Sequence, residues 1–523
     1  MSFRNRWLMF ALAGALAACG GGGGDPGGPP LPPPGPGVSG PAWWGFGRDA
    51  QHAATSAIAT QDLTRIVWQT PVDLAPQYQV SGALLIHYGS PVVTTQNTVI
   101  VPVKTGATGG FRFEARSGVN GGLIWSGDSD YVLPAHSWVP SYNLALNAAN
   151  RLYAPGAGGK LFVRDNADVA AGTLQTAVFF GAAAYAAAEA TYNATVFINT
   201  PVTVDSAGNV FFGFIATGAN PAGLRSGVAR IGADGVGTWA AATDLANDAA
   251  ITKLATNSAP ALSPDRSTVY VALNAARVAG QLQSGYLVAL DAATLAVRAR
   301  VPLLDPGSAG GSARARVSDD STSSPTVGPD GKVYFGVLES VFGSHNGRGW
   351  LLQFNAVLGS GGAPGGFGWD NTASIVPASM VPSYNGPSSY LLMVKYNNYL
   401  GAGTGDGVNK IAVIDPGASH ADAISGLPIM REVLSIAGPT LEAGSSVAVK
   451  EWCINTAAVD PATKSILANS EDGYLYRWDL TTNTFTQRIQ LTSGIAESYT
   501  PTAIGADGAV YAINNAVLFS IGR

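Results

Sequence analysis

Charge is what this sequence has least of. Asp, Glu, Lys and Arg make up 12% of its 523 residues, about half the share of an average soluble chain. With 46% hydrophobic residues, the deficit excludes a disordered chain, which pairs low hydrophobicity with high net charge. A net charge of −5 leaves no basic footprint for nucleic acid, so no such partner is expected. Two cysteines exclude a disulfide framework and a zinc ribbon held by four thiolates. Long apolar runs are missing from the body too. The nearest, Ala177 to Ala188, is ended by Glu189 and falls short of the roughly 20 residues of a membrane helix. What abounds instead is glycine (66), proline (32) and aromatic side chains (9%). That balance favours strands and turns.

The first 42 residues read as an address and a tether. Arg4 and Arg6 precede an apolar run from Trp7 to Ala18, and Cys19 follows. This is the form of a secretory signal. The tetrad Leu16-Ala17-Ala18-Cys19 with Gly20 resembles a bacterial lipobox. The resemblance implies a signal peptide over residues 1–18 and lipidation of Cys19. Gly20, where an inner-membrane protein would carry Asp, implies an outer-membrane lipoprotein held to the membrane by its acyl chains. Residues 19–42 are almost wholly Gly and Pro, which cannot bury a core and stay extended. The folded body is expected over residues 43–523.

An internal repeat sets the architecture. A small polar pair and proline lead into an alternating apolar strand, a turn with Asp or Gly, and a second apolar strand. Asn199-Thr200-Pro201-Val202-Thr203-Val204 running to Val210-Phe211-Phe212-Gly213 is one copy, and Ser324-Pro325-Thr326-Val327 running to Val333-Tyr334-Phe335-Gly336 is another. Copies centre on Pro91, Pro140, Pro201, Pro260, Pro325, Pro382, Ala457 and Pro501. A third strand with a polar exit follows, as in Tyr286 to Asp291 and Tyr474 to Asp479. Each unit is a meander with an uncovered apolar face, and repetition around an axis covers it. The expectation is an all-β chain, a β-propeller of eight four-stranded blades, with seven blades as the alternative. The last copy supplies only three strands, Thr502 to Gly505, Val510 to Asn514 and Val517 to Ile521. The segment Arg65 to Val72 is available to complete it and close the ring, removing an exposed edge.

The segment Trp44-Gly45-Phe46-Gly47-Arg48-Asp49-Ala50-Gln51-His52, with Ser56 and Val67-Trp68-Gln69, resembles the start of quinoprotein-like (pyrroloquinoline-quinone repeat) propellers. That family includes quinone-dependent dehydrogenases and a lipoprotein propeller of outer-membrane assembly. The resemblance implies the fold over residues 43–523, but the chain departs from the dehydrogenases where it matters. They carry adjacent cysteines beside the quinone and a calcium site, and the body here has only Cys453. Their docking pattern is reduced to Glu114-Ala115-Arg116-Ser117-Gly118 with Trp125. Pyrroloquinoline quinone is therefore not expected as cofactor.

Two candidate sites follow. Counting four residues back from each marker gives His87, His136, Phe197, Thr256, Ser321, Ala378, Cys453 and Glu497. His87, His136, Cys453 and Glu497 fall in neighbouring blades of a closed ring, and imidazole, thiolate and carboxylate suit a divalent metal such as zinc. Residues just before the innermost strands lie at one mouth of the propeller channel, and Glu451 and Glu497 are the candidate catalytic carboxylates there. The second candidate is the Tyr- and Asn-rich stretch Tyr384, Asn385, Tyr390, Tyr396 and Asn397, where rings and amides suit a glycan or peptide edge. Cross-strand packing inside one blade is the competing role of these aromatics. Together these features describe an envelope-anchored binding or scaffold module for a protein or glycan partner, with an enzyme carrying a metal-dependent site at the channel mouth, or a divergent quinone-dependent oxidoreductase, as the alternative.

Overall fold

Short apolar strands joined by tight turns bury both faces only by stacking on units of their own kind, and the computed structural model stacks eight such sheets as the blades of a propeller. The structure describes residues 40–78, 88–107, 109–134, 142–319, 323–494 and 500–523. Cys19 and the tether to residue 39 lie outside them. Blade one runs outward through Val92–Val93, Thr98–Lys104, Phe111–Ser117 and Leu123–Ser129. Blades two to eight repeat that order, blades three and four with a further short strand, Val196–Ile198 and Ile251–Leu254, paired to the second one. In blade five three strands are regular, and the fourth position is held by the bridges Phe354↔Ser360 and Leu351↔Gly365.

Burial follows position in the blade. Every residue of Thr98–Lys104 and of Val333–Val337 is buried, because neighbouring blades cover both faces of the second strand. The outermost strand of blade seven, Thr484–Gln490, alternates between exposed and half-buried residues. Closure occurs as the sequence indicates. Arg65–Pro71 pairs antiparallel with Val517–Gly522, from Arg65↔Gly522 to Pro71↔Val517. Trp68 fastens the closing strand, its Nε1 donating to the Gly118 carbonyl of blade one at 2.8 Å. Its ring lies 5.7 Å from that of Tyr511 in blade eight.

The pairing of the innermost strands corrects the repeat register. Val92, Ala145, Thr203, Ala261, Thr326, Ala458 and Ala503 take equivalent places against their second strands. Ser374 joins them through a shared bond between blades. Thr203 Oγ1 donates to the Pro260 carbonyl (2.7 Å), Thr326 Oγ1 to Ala373 (2.8 Å) and Ser374 Oγ to Ala457 (2.6 Å). The residues in the place of Pro91 are therefore Leu144, Val202, Ala373 and Thr502, where the proline reading puts Pro140, Pro201, Pro382 and Pro501. What repeats is a short buried strand with a hydrogen-bonding role, and proline is dispensable to it. Pro382 sits in the turn between Ser374–Pro377 and Tyr390–Tyr396.

The opening segment occupies the axis. The N–H groups of Val93, Leu146, Leu262, Val327, Ile375 and Val459, one from each of six blades and all at the same register position, donate to carbonyls of Trp43, Trp44, Ala50, Gln51, Ala53 and Ala54 at 2.7–2.9 Å. These donors would otherwise face the channel unpaired. Turning successive carbonyls toward successive blades requires left-handed residues, and Gly47, Arg48, His52 and Ala54 all have positive φ. His52 is fully buried and its Nδ1 lies 2.7 Å from the Pro325 carbonyl. One end of the channel is thus filled by Trp43–Ala54. The other end is the mouth.

Candidate functional site

The strand Tyr390–Tyr396 of blade six reads Tyr-Leu-Leu-Met-Val-Lys-Tyr and is buried throughout. A lysine in such a strand needs a partner, since an isolated ammonium is costly to bury. Lys395 finds Asp370, which arrives on the connection from blade five with φ at +44°. Lys395 Nζ lies 2.6 Å from Asp370 Oδ1, with none of the lysine side chain exposed. Its N–H donates to Asn371 Oδ1 at 3.1 Å.

Glu451 and Cys453 come to the same place on the connection from blade six to blade seven, a few residues before the innermost strand Ala458–Asp460. Asn397 anchors that connection. Its Nδ2 donates to the Trp452 carbonyl (3.2 Å) and to the Tyr399 hydroxyl (3.2 Å). The Tyr399 hydroxyl in turn hydrogen-bonds Glu451. Burial raises the Glu451 carboxyl above its ordinary range, and Lys395 together with the Tyr399 bond opposes that shift without cancelling it. Burial alone would push the Lys395 ammonium down. The acidic neighbours, Asp370 foremost, outweigh it, so lysine holds its proton more tightly than usual. The group combines a buried cation, a carboxyl whose charged form burial disfavours, and a cysteine.

Asp370, Tyr399, Glu451 and Cys453 border a cavity of about 530 Å³ at the mouth. An aromatic wall crosses it. Trp369 meets Phe342 at 5.9 Å and Tyr399 at 5.5 Å, both edge-on. On the far side stand Arg277 from the hairpin of blade four and Arg316 from the connection into blade five. The Arg316 guanidinium lies 5.7 Å from the Phe342 ring, and its Nε donates to the Glu339 carbonyl at 3.1 Å.

Of the residues singled out from sequence, Glu451 and Cys453 do line this mouth cavity. His87, His136 and Glu497 lie outside the described residues. The blade register places Trp369 at the position of Cys453, where counting back from Pro382 gives Ala378. Asn397 touches the site through Tyr399 and Trp452. Its companions disperse: Tyr396 is buried under the Arg348 guanidinium at 4.1 Å, at the opposite end of its strand from Tyr390. The Tyr390 hydroxyl bonds Tyr334 (2.6 Å) and Asp330 (2.7 Å). Tyr384 donates to Asp415 Oδ2 at 2.7 Å, and Asn385 is exposed, reaching only the Ser383 carbonyl at 3.4 Å. Asp319, on the connection into blade five, is a clasp. It accepts from Lys253, Asn274, Gln283 and the Thr256 N–H at 2.5–3.0 Å. Tyr399 belongs to the Tyr- and Asn-rich stretch read from sequence, whereas Lys395, Asp370, Trp369 and Arg316 escaped that reading, although a lone lysine in an apolar strand was a usable signal.

No family model matches the chain, and no curated protein matches it. Solved structures do. A europium-containing methanol dehydrogenase superposes with a TM-score of 0.54 at 12% identity, over 91% of this chain and 89% of that one. The quinohemoprotein alcohol dehydrogenase of Comamonas testosteroni superposes with a TM-score of 0.54 at 11% identity, over 92% and 81%. BamB from Moraxella catarrhalis matches at 0.41 and 11%, over 87% and 100%. The class is therefore an eight-bladed propeller with the quinoprotein fold, and at these identities the likeness shows the fold alone. The residues present do not fit a quinone with its calcium. Cys453 has no adjacent cysteine, the Asp370 carboxylate is engaged by Lys395, and the described residues hold no cluster of three or more metal-ligating side chains.

Proposed function

We propose that this chain is a lipid-anchored β-propeller of the bacterial envelope that binds a protein or glycan partner at its mouth. The tetrad ending in Cys19 supports the anchor. The observation that carries the binding role is the mouth cavity, where charged groups and an aromatic wall converge from blades four to seven on a rigid frame. The hairpins that supply Arg277, Phe342 and Tyr399 also leave Val278, Val341, Phe342 and Leu400 exposed around the rim. Clustered exposed apolar side chains mark contact surfaces. A photo-crosslinking residue in place of Val341, in the full chain in its native envelope, yields discrete adducts. The same residue in place of Val357, exposed on a turn at the other end of blade five, yields none. Equal labelling from both positions would remove the mouth as the binding face.

Glu451 supports a second reading, an enzyme acting at the mouth. A carboxyl with a raised pKa in a cavity, next to a thiol, suits general acid–base work. Glu497 would be its companion carboxylate, and His87, His136, Cys453 and Glu497 the ligands of a divalent metal. Metal analysis of the full chain, with and without His136→Ala, tests the metal form. Gentle purification that leaves no stoichiometric metal would rule it out.

A further inference from the structure

The charges of the mouth are sorted by side. Taken in blade order, the cavity is bordered by Arg277 and Arg316 of blades four and five, then by Phe342, Trp369 and Tyr399, then by Glu451 and Glu471 of blade seven. Asp370 stands among the aromatics but is neutralised by Lys395. Among the described residues, cations therefore border one side, carboxylates the other, and aromatic rings the wall between.

Two of these groups lack a full counter-charge. Arg316 forms a bond to a backbone carbonyl and lies against the Phe342 ring, and no carboxylate of the described residues pairs with it. The nearby Glu339 carboxylate is turned away, accepting from the N–H groups of Gly343 (2.8 Å) and Gly349 (3.0 Å). Across the cavity the Glu451 carboxylate stands in the lining beside the Tyr399 hydroxyl, and no lysine or arginine of the described residues forms an ion pair with it. An arriving cation would supply that counter-charge. A polyanion would bring repulsion against Glu451, a polycation against Arg316. A neutral ligand would cover both groups and compensate neither.

We propose that the mouth cavity seats a zwitterionic ligand, a free aromatic amino acid or a short peptide bearing one, with its carboxylate on Arg316, its ammonium near Glu451 and its ring on the wall of Phe342, Trp369 and Tyr399. The cavity volume of about 530 Å³ lies within the range of roughly 300–1,000 Å³ typical of small-ligand sites. Guanidinium–carboxylate pairing fixes one end of the ligand in direction, and edge or face contacts hold the ring. This inference rests on the mouth being the binding face and names what enters it.

Calorimetric titration of the full chain, solubilised in mild detergent, with phenylalanine, glycyl-phenylalanine and glycyl-glycyl-phenylalanine tests it. At least one of the three binds saturably, and its N-acetyl and C-amide forms each bind about tenfold more weakly, as loss of one charge-assisted bond requires. Arg316→Gln abolishes the preference for the free carboxylate over the amide. Glu451→Gln abolishes the preference for the free amine over the acetylated form. Blocked forms that bind as well as the free one would overturn the proposal, and so would the absence of saturable binding by all three. The titrations on the unaltered protein stand even if a variant fails to fold. Adducts that persist from position 341 when no zwitterion binds would sink the ligand assignment and leave the binding face intact.

Discussion

Lys395 Nζ and Asp370 Oδ1 stand 2.6 Å apart with the lysine side chain fully enclosed, joining the second strand of blade six to the connection that enters it. Removing one member of such a pair leaves a buried charge without its partner. Lys395→Met is expected to cost about 3–5 kcal/mol in urea unfolding. The double change Lys395→Met with Asp370→Asn should recover much of that loss. Additive losses would show that the two residues do not act as a unit.

Glu451 gives the site a pH signature. Its folded carboxyl is raised, so above the ordinary carboxyl range the folded state binds more protons than the unfolded one. This group's contribution to stability therefore falls as pH rises from its ordinary value of 4.5 through its raised folded value. Glu451→Gln should flatten that part of the profile and raise the melting temperature at neutral pH relative to the parent chain. Parallel melting profiles from pH 4 to 8 would contradict the assignment.

His52 works in the opposite direction. A carbonyl only accepts, so the Nδ1 facing Pro325 carries the proton, and burial lowers the imidazole pKa to about 4. Between about 4 and the ordinary 6.5 the unfolded state binds the extra proton, so stability is lost as pH falls through that window. The full loss is about 3 kcal/mol. His52→Gln should remove this acid sensitivity, read as the difference between unfolding midpoints at pH 7 and pH 4.

Ring closure depends on Trp68, which bridges the closing strand to blades one and eight. Trp68→Ala is expected to destabilise by about 3–5 kcal/mol. Hydrogen exchange should quicken first in Val517–Gly522, the strand that Arg65–Pro71 covers. Slow exchange there with fast exchange elsewhere would place the weak seam in another blade.

Cys19→Ser removes the thiol that lipidation requires. The full chain should then move from the membrane fraction to the soluble fraction on envelope fractionation. Retention in the membrane would show that the anchor lies elsewhere.

The sequence by itself determined the class of fold, the eight-fold repetition and the closing strand. Those properties are local and periodic: alternating apolar strands, turns, and one blade short of a strand that Arg65–Pro71 supplies. Glu451 and Cys453 were also within its reach, because their distance from the innermost strand of blade seven is short along the chain. Only tertiary structure decided the register, since hydrogen bonds between blades define equivalent positions and proline merely accompanies some of them. It alone revealed that Trp43–Ala54 fills the axis, an arrangement that depends on carbonyls meeting six distant strands. It alone gathered Arg316, Trp369, Asp370, Lys395 and Tyr399 around Glu451. These residues belong to blades five to seven and the connections between them, and no spacing along a chain encodes which loops a closed ring turns toward one mouth.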